Sequence, residues 1–153
     1  MTVTDSITEQ VLYDIAYEAN RRAAIALPVD GVAAFRDAHE HETRTMARFI
    51  LGQVLENAEL AVADDRPMCG DTGLPRYYVK AGNDARIEGG FIGMERAFRQ
   101  AVADATHDLP LRANRVHPLT RKNAGNNVGV FAPSVDYSFE PDADWLEVTV
   151  VHK

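Results

Sequence analysis

The chain has 153 residues, 46% of them hydrophobic, enough to bury roughly two-thirds of the surface its unfolded form would expose, which sets disorder aside and suits one globular domain. Its 16 Lys and Arg against 23 Asp and Glu give a formal net charge of −7, which repels a phosphate backbone and makes nucleic acid an unexpected partner. Met1 to Glu9 carries neither a basic start nor an unbroken apolar run, so no secretory signal and no membrane span are expected and the chain reads as cytoplasmic.

Ser6-Ile7-Thr8-Glu9 has the spacing of a capping box, in which hydroxyl and carboxylate satisfy reciprocal backbone donors, and predicts a helix start there. Ile7, Val11, Ile15, Ala19 and Ala23 recur every four residues as its packing face, and Pro28 stops it near Leu27. Asp30 is positioned to cap a second helix reaching about His39. A third follows, with Ala47, Ile50, Leu51, Val54, Leu55, Ala58 and Val62 as a broad apolar stripe.

Residues 66–75 hold two prolines and two glycines, a composition of ordered loops. Tyr77, Tyr78 and Val79 suit a short strand, Gly82-Asn83-Asp84 a turn, and Phe91, Met94, Phe98, Val102 and Ala105 the apolar face of a helix closed by Pro110. Beyond a polar stretch, residues 128–139 and 145–151 read as two strands joined by a turn at Glu140-Pro141-Asp142-Ala143. The fold class is therefore α+β: a helical N-terminal half, then a more strand-rich C-terminal half. A strand running to Lys153 with no stop signal suggests part of a larger fold.

Chemistry concentrates in two segments. The first is Arg66-Pro67-Met68-Cys69-Gly70-Asp71-Thr72-Gly73-Leu74-Pro75, where rigid and permissive residues alternate around a thiol, an acid and a hydroxyl. Cys69 is the one cysteine in the chain, so it forms no internal disulfide. A lone thiol is more often buried and inert, and a tight turn is the plainest reading of the glycines. Set beside Arg66, however, it suits a thiolate that binds metal or attacks an electrophile. The second segment gathers Arg112, Arg115, Arg121 and Lys122 in an otherwise acidic chain, a pattern for anion recognition or for a solvated charged face.

Together, in this order and separation, the two segments resemble the iron–sulfur-dependent class I fumarase and L-tartrate dehydratase family. The likeness runs over nearly the whole chain: an apolar helix, Arg66 to Gly73, a strand ending Val79-Lys80, Leu111-Arg112, and Pro118-Leu119-Thr120-Arg121-Lys122-Asn123. The resemblance implies that residues 1–153 are the N-terminal part of a hydro-lyase catalytic domain. It implies that Cys69 is one ligand of a [4Fe–4S] cluster, and that Asp71 is catalytic, lying beside the substrate hydroxyl. Gly70, Asp71, Thr72 and Arg112 would bind a small dicarboxylate such as fumarate or malate, with Arg112 on a carboxylate. Arg115, Arg121 and Lys122 match flanking positions, and Asn123 and Asn126 would orient the loop. The remaining cluster cysteines of the family belong to later sequence, so the complete enzyme is expected as a homodimer or two-subunit assembly and this chain alone is expected to hold no stable cluster.

Two departures stand out: the family more often has glutamine where this chain has Gly70, and Asn-Thr-Gly where it has Asn123-Ala124-Gly125. A missing amide at a reacting group discriminates between substrates, which keeps open the α-subunit portion of an L-tartrate dehydratase. A non-enzymatic dicarboxylate-binding or assembly domain is the alternative of another class, and a thiol enzyme pairing Cys69 with His117 or His152 is a third.

Overall fold

Thr8, not Ser6, opens the first helix. In the computed structural model, which describes residues 6–70 and 73–153, the Thr8 side chain accepts from Val11 N at 3.2 Å as the N-cap of α1 (Glu9–Ile25). The cap expected at Ser6 is displaced because Ile7 is extended: its N–H donates to Arg86 O at 2.8 Å and its carbonyl accepts from Glu88 N at 2.9 Å. A residue held in a bridge cannot also supply the first helical turn.

The packing face of α1 is also rotated from expectation. Leu12, Ala16, Asn20 and Ala24 are buried, whereas Val11 and Ile15 are 45% and 44% exposed. The core takes the face carrying small residues because α4 lies close against it, and because Asn20 finds hydrogen-bond partners there. Ile15, Ala19 and Ala23 instead line an open groove between α1 and the last strand.

Helices α2 (Val29–His41) and α3 (Thr45–Ala63) pack on each other across a three-residue connection. Pro28 is the N-cap of α2, and Asp30 sits in the first turn, two residues inside the capping position expected of it, with its carboxylate accepting from Gly31 N at 2.9 Å. No residue of α2 is buried, and α3 buries only Ala58 and Ala61. Ile50 and Val62, expected in the apolar stripe of α3, are 53% and 55% exposed.

After the loop come β1 (Pro75–Gly82), α4 (Gly90–Asp108), β2 (Ser134–Glu140) and β3 (Leu146–His152). The sheet order is β2-β1-β3, with β1 parallel to β2 and antiparallel to β3. The turn at residues 140–143 is where expected, yet it does not make a hairpin. It carries the chain across the end of β1, where Gly82 N donates to Trp145 O and Asp84 N to Ala143 O. The class is α+β as read, with one parallel pair joined through α4.

Alternation along β1 sorts its side chains. Tyr77, Val79 and Ala81 are buried against Leu12 and Ala16 of α1 and Met94, Ala97, Phe98, Ala101 and Val102 of α4, with the Tyr77 and Phe98 rings stacked at 4.4 Å between centroids. Residues Arg76 and Lys80 lie on the other face, paired with Asp136 and Glu140, as suits a sheet covered on one side. Residues 128–133, expected as strand, form a turn instead, with Gly129 N donating to Ala132 O and the Arg99 guanidinium donating to both carbonyls.

Candidate functional site

The loop between α3 and β1 is fastened at both ends. At its start, Arg66 N donates to Ala61 O at 2.9 Å and Met68 N to Ala24 O at 3.1 Å, while the Asn57 amide donates to Met68 O at 2.9 Å. At its end, Leu74 and Lys153 exchange both backbone hydrogen bonds, 2.6 and 3.1 Å. Gly73 has φ +76°, and a Cβ there would run into the Lys153 backbone, so no side chain is compatible with this closure. Cys69 and Gly70, between the fastenings, are exposed. Asp71 and Thr72, expected to be catalytic and substrate-binding, lie outside the described residues.

The arginine segment meets this loop. The Asn114 side-chain amide donates to Gly73 O at 2.9 Å, joining residues 41 apart in sequence. Arg112 is exposed and follows buried Leu111, which packs with Ala105, Leu109, Ala24 and Ile25. The two segments singled out in the sequence are thus joined by a hydrogen bond between Asn114 and Gly73.

Asn127, which sequence reasoning passed over, organises the second segment. It is 2% exposed with φ +57°, a conformation that asparagine tolerates better than most residues. Its Oδ1 accepts from Asn114 N at 2.6 Å and Arg115 N at 3.3 Å, and its Nδ2 donates to Arg112 O at 3.0 Å and Thr106 Oγ1 at 3.3 Å. The signal was present only as two adjacent asparagines after Gly125, which read as ordinary loop. Asn123 and Asn126 do orient the loop locally: Asn123 donates to Ala113 O and accepts from Gly125 N, and Asn126 accepts from Val128 N.

The flanking charges separate by role. Arg115 is committed to the turn after Asn127, its guanidinium donating to Val130 O at 2.6 Å. Arg121 and Lys122 are exposed on a turn closed by His117 N donating to Lys122 O. His117 is a turn former, its Nδ1 accepting from Leu119 N and Thr120 N at 3.2 and 3.1 Å.

Behind the loop lies a buried polar chain. Asn20 donates to Ala16 O and to the Tyr77 hydroxyl, so its Oδ1 is left to accept, which makes His152 Nε2, 3.1 Å away, the donor. His152 Nδ1 is then a buried acceptor with no partner among the described residues. Burial pushes the imidazole below its ordinary pKa, because a charge on Nδ1 would be desolvated and unpaired.

Cys69 is the sole cysteine, and among the described residues no group of three or more His, Cys, Asp or Glu is placed to hold a metal ion. An exposed thiol on this loop fits one ligand position of a cluster, which would need further thiolates. No described helix is long and apolar enough to cross a membrane.

The model of the fumarate hydratase (Fumerase) family matches residues 13–153. The chain belongs to this family. Among curated relatives of this fumarate hydratase family member, the putative L(+)-tartrate dehydratase subunit alpha of Methanocaldococcus jannaschii is 34% identical over 131 residues, covering 86% of this chain and 46% of the relative. The L(+)-tartrate dehydratase subunit alpha of Escherichia coli is 33% identical over 134 residues, covering 86% and 43%, in strain UTI89 and in strain K12. The chain therefore spans less than half the length of the relatives it matches.

Proposed function

We propose that this fumarate hydratase family chain supplies the N-terminal part of a hydro-lyase site for a small dicarboxylate, residues 1–153 forming part of one catalytic domain. The observation that carries the reading is the Asn114–Gly73 hydrogen bond, which joins the arginine segment to the end of the loop that carries Cys69. Arg112 takes one substrate carboxylate. A guanidinium about 4 Å from a carboxylate gains on the order of 4 kcal/mol at an effective dielectric near 20, before desolvation is subtracted, and bidentate geometry adds selectivity.

Cys69 is the residue that would hold a [4Fe–4S] cluster from this chain, its partners coming from a second subunit or further sequence. When bound, such a cluster supplies a Lewis-acidic iron for the substrate hydroxyl. Gly70, Asp71 and Thr72 are assigned to substrate binding, with Asp71 the catalytic group acting on the hydroxyl that leaves. In the net reaction a C–O bond breaks, a proton leaves the neighbouring carbon, and water and an alkene are formed; hydration of fumarate to malate is the reverse.

A tartrate substrate is the second reading, favoured by the relatives' names and by the open space at Gly70, where a Cβ would meet nothing within 4 Å. Calorimetric titration of the chain with L-malate and L-tartrate, repeated on Arg112→Ala, tests the proposal: binding that depends on Arg112 is expected, and no binding of either acid contradicts it. If Cys69→Ala leaves the metal content of the complete assembly unchanged and neither form turns over a dicarboxylate, the non-enzymatic binding domain replaces it.

A further inference from the structure

Asn127 is the most completely used polar side chain near the site. Among the described residues its amide bonds to other parts of the segment and to α4, and not to a group that would touch a substrate. It grips the backbone that leaves Arg112: the Arg112 carbonyl from one atom, the Asn114 and Arg115 N–H groups from another. Thr106, buried on α4 with its hydroxyl donating to Val102 O at 2.7 Å, is the fixed end of the clamp. The other end is the Asn114 side chain on Gly73. A continuous line therefore runs from the rigid helix, through Asn127 and the Arg112 backbone, to the loop that carries Cys69.

We propose that Asn127 is a positioning residue that sets the place of Arg112 and, through the Asn114 amide, the closure of the Cys69 loop, so that the two halves of the dicarboxylate site move as one unit. This rests on the proposed function for the identity of the ligand, but not for the mechanical link. The link follows from chemistry: an asparagine presents donor and acceptor on one rigid plane, and leaving any of these buried backbone groups unpaired is costly. Aspartate has nearly the same shape and keeps the acceptor, yet cannot donate to Arg112 O or Thr106 Oγ1.

Amide hydrogen exchange on the full chain tests it, comparing Asn127→Asp and Asn114→Ala with Val102→Ala, a core variant that destabilises α4 but keeps every hydrogen-bonding group of the link, the Val102 carbonyl included. Temperatures are set to equal intervals below each melting point. Residues 66–74, more than 50 positions from residue 127, are expected to exchange roughly fivefold faster in both asparagine variants and to be unaffected in Val102→Ala. Unchanged exchange there in the asparagine variants, or an equal rise in Val102→Ala, overturns the proposal. A parallel arm adds L-tartrate to the unaltered chain: slower exchange in both 66–74 and 112–115 is expected of one unit, and slowing in 112–115 alone counts against it. If L-tartrate slows neither segment while the variants behave as expected, the positioning role stands and the dicarboxylate reading fails.

Discussion

Asn114 donates its side-chain amide to the carbonyl of Gly73 at 2.9 Å, and this bond brings the thiol loop and the arginine segment to one place. Among the described residues, 66–74 and 111–123 lie outside the helices and strands. Their relative position is set by α4, which ends at Asp108 just before Leu111, and by β1, which begins at Pro75 just after the loop.

Arg112 should dominate anion binding among the basic residues. Arg115 is held by Val130 O, and Arg121 and Lys122 sit on an exposed turn. Arg112→Ala is expected to weaken L-tartrate binding by roughly 10- to 100-fold in calorimetry, as loss of a charge-assisted pair does, while Arg121→Ala and Lys122→Ala each change it by less than about threefold.

Cys69→Ser should separate cluster from fold. The thiol is exposed, so the unfolding free energy should change by no more than the roughly 0.5 kcal/mol typical of surface changes. The visible absorption of an iron–sulfur cluster in the complete assembly should be lost. Conversely, anaerobic reconstitution of this chain alone should give no stoichiometric cluster, since it offers a single thiolate.

The corrected face of α1 makes a stability prediction. Leu12→Ala, at 1% exposure, should cost about 2–5 kcal/mol in urea unfolding, and Val11→Ala, at 45% exposure, less than about 1 kcal/mol. The reverse order would restore the face that periodicity alone suggests.

Acid sensitivity should begin at His152. Its folded pKa lies below the ordinary 6.5 because of burial, so the unfolded chain binds the proton more readily, and the stability it contributes is full above about pH 6.5 and declines as pH falls towards the folded value. Glu18, held down to about 2 from 4.5 by hydrogen bonds from Arg21 and Arg22, acts in a separate, lower window, its contribution lost between those values. Urea midpoints measured from about pH 7 to about pH 5 should fall, and His152→Gln, which keeps a donor for Asn20, should flatten that fall.

What the sequence made legible follows from how strongly each signal was local. Met94, Phe98, Val102 and Ala105 of α4 are buried as their spacing predicts, because that helix lies under a sheet and large apolar residues decide its face. The face of α1 misled because its core side carries Ala16 and Asn20, which look unremarkable beside Val11 and Ile15; Asn20 is buried for its bonds to Tyr77 and His152, a relation between residues more than 50 positions apart. The partner of β1 was equally invisible, since the turn at 140–143 reads the same whether it closes a hairpin or crosses a strand end. In the site, the glycine and proline punctuation marked the loop, and the cluster of charge marked the arginine segment. Asn114 and Asn127 were not marked, because an asparagine in a polar stretch carries no sign of which distant carbonyl it will meet.

The most direct test of a shared dicarboxylate site is to ask what one bound acid touches. Nuclear Overhauser measurements between L-tartrate and the isotope-labelled chain should give contacts from the ligand's C–H protons to residues of both 69–74 and 112–115. Contacts confined to one segment, or to neither, would contradict the account.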